Sequence, residues 1–138
     1  MINATFLMEL HIGHRAYYEN LRRFIDRTPK LTAEWVEITY YDRESLWHHL
    51  PFLPAGARGT CVGWSQTRQG LKKCADVFFF NTQVPAALAG SLVKRKPYVL
   101  ATDITPIQYD RMAERYGHQV DRLEWLRRYK HKVNTRLF

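Results

Sequence analysis

The segment Lys96-Pro97-Tyr98-Val99-Leu100-Ala101-Thr102-Asp103-Ile104-Thr105-Pro106-Ile107-Gln108 predicts a strand, a polar turn and the start of a helix. Residues 98–101 are a short apolar run of the kind that a sheet buries on both faces. Thr105 suits the N-cap of a helix, Pro106 suits its first position, and Gln108 stands where a capping box needs Glu or Gln. An acidic side chain, Asp103, is left at the carboxyl end of the predicted strand.

The same alternation of strand and helix extends along the chain. Strands are predicted at 5–10, 33–40, 77–80 and 98–101. Helical patterns cover 15–25, 60–74, 85–93, 106–116 and 121–138. In the helix predicted at 60–74, the side chains expected to face inward are Cys61, Trp64, Leu71 and Cys74. Right-handed crossovers would place the strands in one Rossmann-like, doubly wound parallel sheet, in which the first strand and the strand at Val77 are neighbours. The predicted class is α/β.

Composition and charge limit the possible functions. A chain of 138 residues with 46% apolar and 14% aromatic residues suits one folded domain, 1–138. The net charge of +8 favours anionic partners: the phosphates of a small ligand, anionic lipid or nucleic acid. Neither a membrane span nor a signal peptide is recognisable, so we predict a cytoplasmic protein and leave contact with the inner face of a membrane open. The two cysteines, Cys61 and Cys74, have no spacing typical of zinc or disulfides.

Three polar turns, at 11–14, 81–83 and 102–105, follow predicted parallel strands and should meet at one edge of the sheet. Each turn precedes a helix, whose free N–H groups favour a negatively charged ligand. The candidate site residues are therefore His11, Gly13, His14, Asn81, Thr82, Gln83, Asp103 and Thr105. For Asp103 two interpretations stay open: it contacts a ligand, or it only stabilises the turn.

Other chemistry is less well supported by the sequence. His11 and His14 lie three residues apart without further ligands, so no metal is predicted. Glycine-rich dinucleotide, Walker and nucleophile-elbow motifs are lacking, which argues against the usual nicotinamide, ATP and hydrolase enzymes. The basic last helix could bind anions or simply be solvated. Its aromatic residues share the apolar stripe, so nucleic acid is not an expected partner.

Three segments resemble the N-terminal half of family-4 glycosyltransferases of the GT-B fold. The first is Phe6-Leu-Met-Glu-Leu-His-Ile-Gly-His14, together with residues 17–21 just after it. The second is residues 80–86, and the third is residues 102–112. The resemblance implies retaining transfer of a sugar from a nucleotide-sugar co-substrate, without a metal or other cofactor. In that fold the N-terminal domain chiefly holds the acceptor, and a C-terminal domain carries most of the donor site. We therefore expect this chain to be a fragment that lacks the donor-binding domain and is inactive by itself.

The resemblance also implies roles for single residues. Gly13 matches the first-turn glycine that lies near the donor phosphates. Asp103 matches the acidic residue of a His-Asp pair in the family and is the candidate catalytic residue. The histidine of that pair is replaced here by Thr102. The segment 81–83 matches positions that contact acceptor or donor sugar. The alternative function is a stand-alone basic α/β module that binds an anionic partner or surface.

Overall fold

The four predicted strands form one parallel sheet in the computed structural model, which describes residues 1–10, 13–117 and 119–138. In chain order, strands β1 to β4 comprise Ile2–Glu9, Leu31–Ile38, Val77–Phe80 and Tyr98–Leu100. Their order across the sheet is β2-β1-β3-β4, and every neighbouring pair is parallel. The predicted α/β class and the pairing of β1 with β3 are therefore confirmed, with Phe6 opposite Phe79 in the register.

Helices cover both faces of the sheet. The described residues form helices α1 to α6, which comprise His14–Ile25, Ala55–Leu71, Gln83–Ala89, Pro106–Arg111, Ala113–Tyr116 and Glu124–Thr135. Two 3₁₀ turns lie at Leu46–His49 and Gly90–Arg95. None of these helices has the length and apolar character needed to cross a membrane.

The core is divided between the two faces. On one face, Tyr18 of α1 packs with Phe6 and Met8 of β1. On the other face, Leu7 and Phe80 pack with Ala86 of α3 and with Leu137, which follows α6. Because successive strand residues point to opposite faces, β1 supplies both cores and is buried from Ala4 to Glu9. This burial places the carboxyl end of β1 deep in the sheet.

Helix α2 differs from its prediction in both its start and its inward face. It begins at Ala55, five residues before the predicted start, and it continues through Gly63 and Gly70, although glycine disfavours helix. Cys74 and Trp64 are exposed, and the buried positions are instead Val62, Gly63, Thr67 and Gly70. A Cβ at Gly63 would lie 2.3 Å from the ring of Tyr40, so the missing side chain lets the helix approach the sheet.

The helix after β4 begins as predicted. The hydroxyl of Thr105 accepts a hydrogen bond from the backbone N–H of Gln108. The side-chain oxygen of Gln108 accepts one from the backbone N–H of Thr105, which completes the capping box. The predicted single helix is interrupted at Met112, whose φ of −103° and ψ of 17° are not helical, and it closes at Gly117 in the left-handed region. The predicted helix at 85–93 likewise ends early, at Gly90, because φ there is +59°.

Candidate functional site

The candidate site lies at the carboxyl edge of the sheet, between β1 and β3. The connection after β1 is α1, which packs on one face, and the connection after β3 is α3, which packs on the other. Neighbouring parallel strands whose connections leave in opposite directions open a crevice at their carboxyl ends, where α/β proteins bind ligands.

Glu9, the last residue of β1, is the central side chain at this edge. It is only 8% exposed although it is charged. Its Oε2 atom accepts hydrogen bonds from the hydroxyl of Tyr40 at 3.0 Å and from the hydroxyl of Thr82 at 2.5 Å. Buried carboxylates need such donors, because leaving one unpaired costs several kcal/mol. Glu9 thus connects the ends of three neighbouring strands, β2, β1 and β3.

Tyr40 reaches Glu9 through an unusual backbone conformation. Its φ of +57° lies in the left-handed region, which non-glycine residues rarely adopt. This turn brings the ring against α2 at Gly63 and aims the hydroxyl at Glu9. Burial, and then the negative charge of Glu9, raise the pKa of the Tyr40 phenol above its ordinary value. The phenol is therefore protonated at neutral pH and acts as a hydrogen-bond donor.

Asn81 joins the carboxyl ends of β1 and β3. Its Oδ1 atom accepts from the backbone N–H of Glu9 at 2.7 Å, and its Nδ2 atom donates to the carbonyl of Glu9 at 3.0 Å. The side chain thus replaces a backbone partner beyond the last paired residues of the two strands. Asn81 and Thr82 lie at the predicted edge, and both contact Glu9.

The turns after β3 and β4 are joined in a similar way. The hydroxyl of Thr102 donates to Oε1 of Gln83 at 2.6 Å. Thr105 uses its hydroxyl in the capping box of α4. Asp103, between them, is exposed in the turn. Gln83 and Thr102 therefore stabilise the edge, and the Asp103 carboxylate faces solvent at its rim.

The N-terminus of α1 also lies at this edge, and Gly13 there is exposed. Gly13 is its N-cap, with φ of +92°, and apart from its chain neighbours no described residue has an atom within 4 Å of a Cβ built there. Among the described residues, no side chain caps this helix, and no acidic residue lies in its first turn. The free N–H groups at its start can therefore receive an anion. His14 is the first helical residue, and the predicted site residue His11 lies outside the described residues.

The geometry brings the predicted turns to one edge. Because β1, β3 and β4 are parallel neighbours, the turns of Gly13, Gln83 and Asp103 all lie at the same end of the sheet. Adjacent strands are about 4.8 Å apart, so the ends of β1 and β4 are separated by roughly 10 Å. That span suits a ligand with an anionic group at one end and polar groups along its length.

Glu9 and Tyr40 were not among the predicted site residues. The signal for Glu9 was present, since it is a single carboxylate inside the apolar run of the first strand, on the same side as Thr5 and Leu7. A charge at such a position is rarely buried without partners. Nothing local in the sequence indicates Tyr40, because its role depends on the positive φ and on contact with α2.

Neither a metal-binding group among the described residues nor a known relative assigns a role to this site. Among the described residues, histidine, cysteine and acidic side chains nowhere gather in a group of three that could hold a metal ion. Compared with protein-family models, curated proteins and solved structures, the chain matches none. The resemblance to family-4 glycosyltransferases therefore rests on the sequence segments quoted above.

Proposed function

We propose that this domain is the acceptor side of a retaining glycosyltransferase that uses a nucleotide-sugar donor. The observation that carries the proposal is the open start of α1 beside the crevice between β1 and β3. Gly13 there holds a left-handed conformation, and among the described residues no side chain caps the free N–H groups of the helix. The diphosphate of a nucleotide sugar is an anion suited to such a position.

The remaining edge residues would position the substrates. The Glu9 carboxylate, bound by Tyr40 and Thr82, fixes the ends of three strands relative to one another. Gln83 and Thr102 fix the turn after β4 in the same way, so that Asp103 is presented at the rim. Catalysis by a retaining transferase depends on holding the donor carbon against the acceptor oxygen, and a rigid edge serves that purpose.

Asp103 would supply the polar contact farthest from α1. An exposed carboxylate can accept hydrogen bonds from sugar hydroxyls, which are donors at neutral pH. The strands that precede these two turns, β1 and β4, are separated by β3 alone, so a ligand lying along the edge would bring its diphosphate to α1 and its sugar toward Asp103. The residue is therefore assigned to contact with sugar.

Nucleotide binding tests this proposal. The purified chain is titrated with UDP, GDP, ADP and their glucose conjugates while backbone amide resonances are followed by NMR, a method suited to weak binding. We expect shifts at the start of α1 and in the turns after β3 and β4, with millimolar affinity. Gly13→Ala should weaken binding at least tenfold, because a side chain at φ of +92° forces the turn to move.

Gly117→Ala is the matched control. Gly117 also has a positive φ, +60°, with open space around its Cβ position, but it ends α5 and is not part of the crevice. The two variants therefore carry a similar backbone strain at different places. Equal affinities for Gly13→Ala and Gly117→Ala, or shifts confined to the opposite edge of the sheet, would show that the crevice is not the nucleotide site.

A further inference from the structure

A second hollow lies at the amino edge of the sheet, opposite the crevice. It has a volume of about 290 Å³ and lies between the end of α2 and the 3₁₀ turn Gly90–Arg95. Its apolar floor is formed by Leu71, Phe78 and Leu92, and its rim by Arg68, Lys72, Arg95 and Lys96. None of the described residues that line it is acidic. We call this hollow the amino-edge pocket.

Two of its cations are held in place by other contacts. The guanidinium of Arg68 lies 4.9 Å from the centroid of the Trp64 ring. The ammonium of Lys96 donates to the carbonyl of Ala75 at 2.5 Å and lies 5.8 Å from the centroid of the Phe78 ring. Such contacts orient a cation without neutralising it. In the described part of the chain, none of the four rim cations forms an ion pair with a carboxylate.

The positive surface continues beyond the pocket. A shallower hollow of about 500 Å³ beside it is lined by residues 94–98, which include three consecutive cations. A groove of about 690 Å³ along α1 and the edge strand β2 is different in character. There arginines alternate with Glu19, Asp26 and Glu37, and two ion pairs form within α1. Among the residues that the structure describes, the two amino-edge hollows therefore lack acidic side chains of the kind that balance the arginines of this groove.

We propose that the amino-edge pocket binds the phosphate group of an organic phosphate. Cations brought together from two elements repel one another, and a multiply charged anion between them removes that repulsion. Arg68 and Arg95 present planar guanidinium groups, which match phosphate oxygens in pairs, and Lys72 and Lys96 add point charges. The apolar floor contacts the carbon part of the ligand. The proposal is independent of the nucleotide-sugar site, which lies at the other edge.

The same phosphate chemistry occurs in soluble phosphoesters and in lipid headgroups, so the experiment has two arms. In the first, the chain is titrated with sodium pyrophosphate and, at matched ionic strength, with sodium sulfate, and amide shifts are recorded. In the second, sedimentation measures binding to vesicles of phosphatidylcholine and phosphatidylglycerol in equal parts, with pure phosphatidylcholine vesicles as the comparison. Circular dichroism verifies that each variant is folded.

Two charge reversals, Arg95→Glu and Arg68→Glu, change the pocket, and Arg122→Glu is the control. Arg122 is exposed and precedes α6, whereas Arg136, after the end of that helix, shares a hollow with Lys94 of the 3₁₀ turn that lines the pocket. The three variants have the same net charge. We expect either pocket variant to weaken binding about tenfold and Arg122→Glu to change it less than twofold, because exposed charges farther apart than the Debye length of about 8 Å are screened.

Each outcome decides the question. If pyrophosphate shifts amide resonances at the pocket in the wild-type chain but not in the pocket variants, the result supports a soluble phosphoester as the ligand. If the pocket variants lose vesicle binding and pyrophosphate causes no such shifts, the ligand is a lipid headgroup. Equal effects of Arg95→Glu and Arg122→Glu in both arms would mean that only net charge matters, and the proposal would be wrong. Absence of binding to both probes, or shifts equally large with sulfate, would also overturn it.

Discussion

Replacing Tyr40 by phenylalanine removes a single oxygen atom from the buried network at the carboxyl edge. The ring would keep its place against Gly63, and the backbone would keep its positive φ. The change is therefore confined to the hydroxyl that donates to Glu9 at 3.0 Å. Thr82 would remain as the other side-chain donor to the same carboxylate oxygen.

The expected loss of stability follows from the burial of Glu9. A hydrogen bond to a charged group contributes about 1.5–3 kcal/mol when its loss leaves the charge without a replacement. Glu9 is only 8% exposed, so water has little access to the vacated position. We therefore expect Tyr40→Phe to lower the free energy of unfolding by about 1.5–3 kcal/mol at neutral pH.

Urea unfolding followed by circular dichroism measures this difference, with Tyr41→Phe as the matched control. Tyr41 is 51% exposed, and its hydroxyl accepts a hydrogen bond from Arg43 at the surface. The same loss of oxygen there should cost less than about 0.5 kcal/mol. If the two variants have the same free energy of unfolding, Glu9 is solvated and its hydrogen bond to Tyr40 does not stabilise the edge.

The same variant makes a pH dependence testable. Burial and the Glu9 carboxylate raise the pKa of Tyr40 in the folded chain, so above pH 10.0, its ordinary value, the unfolded chain releases this proton first. The stabilisation is complete below that pH and is lost as the pH rises, by at most about 1.4 kcal/mol per pH unit. The difference between the wild-type chain and Tyr40→Phe should therefore shrink above about pH 10. A constant difference would contradict the raised pKa.

Three further changes test other parts of the structure. Gly63→Ala should destabilise the chain by about 1–3 kcal/mol, because its Cβ would overlap the Tyr40 ring. Gly56→Ala, in open space on the same helix, should be neutral or stabilising. Urea unfolding measures both free energies. Asn81→Leu should cost more than about 2 kcal/mol by the same assay, since it leaves two buried backbone groups of Glu9 unpaired. The 138-residue chain, given a panel of nucleotide sugars without added metal, should transfer no sugar. Steady turnover would mean that it holds a complete site.

The sheet could be predicted from the sequence because its signals are local. The run Val77–Phe80 has no polar residue, and Thr105, Pro106 and Gln108 combine a cap, a first-turn proline and a capping box within four positions. Alternation of strand and helix then restricts the topology to a few choices, of which the observed order β2-β1-β3-β4 is one. Local patterns and the parallel rule were sufficient for the strands and their pairing. The predicted burial of 98–101 on both faces was wrong, because β4 is an edge strand and Val99 is 52% exposed.

Helix α2 could not be predicted as well, because its glycines have a tertiary function. In an isolated helix a glycine costs about 1 kcal/mol relative to alanine, so several glycines argue against helix. In the folded chain Gly63 and Gly70 permit contact with Tyr40 and with Leu7, where a Cβ would lie 3.0 Å or less from the neighbouring side chain. The cost in propensity is offset by packing that only the assembled sheet provides.

The predicted edge residues divide into two groups once the contacts are known. Asn81, Thr82 and Gln83 use their side chains to join neighbouring turns, while Gly13 and Asp103 remain open to solvent. A polar residue after a strand can serve either purpose, and the sequence does not distinguish them. Partners far along the chain decide the matter, as the separation of 72 positions between Glu9 and Asn81 shows.

The division suggests how the edge could respond to a ligand as a unit. Glu9 connects the strand ends of β2, β1 and β3, and the bond from Thr102 to Gln83 extends the connection to β4. A ligand at the start of α1 therefore contacts a turn whose strand is tied, through side chains, to the turn that carries Asp103. The strand ends that precede Gly13 and Asp103 are held relative to one another by residues that need not touch the ligand. This arrangement favours one extended ligand over two small ones, because only the extended ligand benefits from a spacing that is fixed in advance.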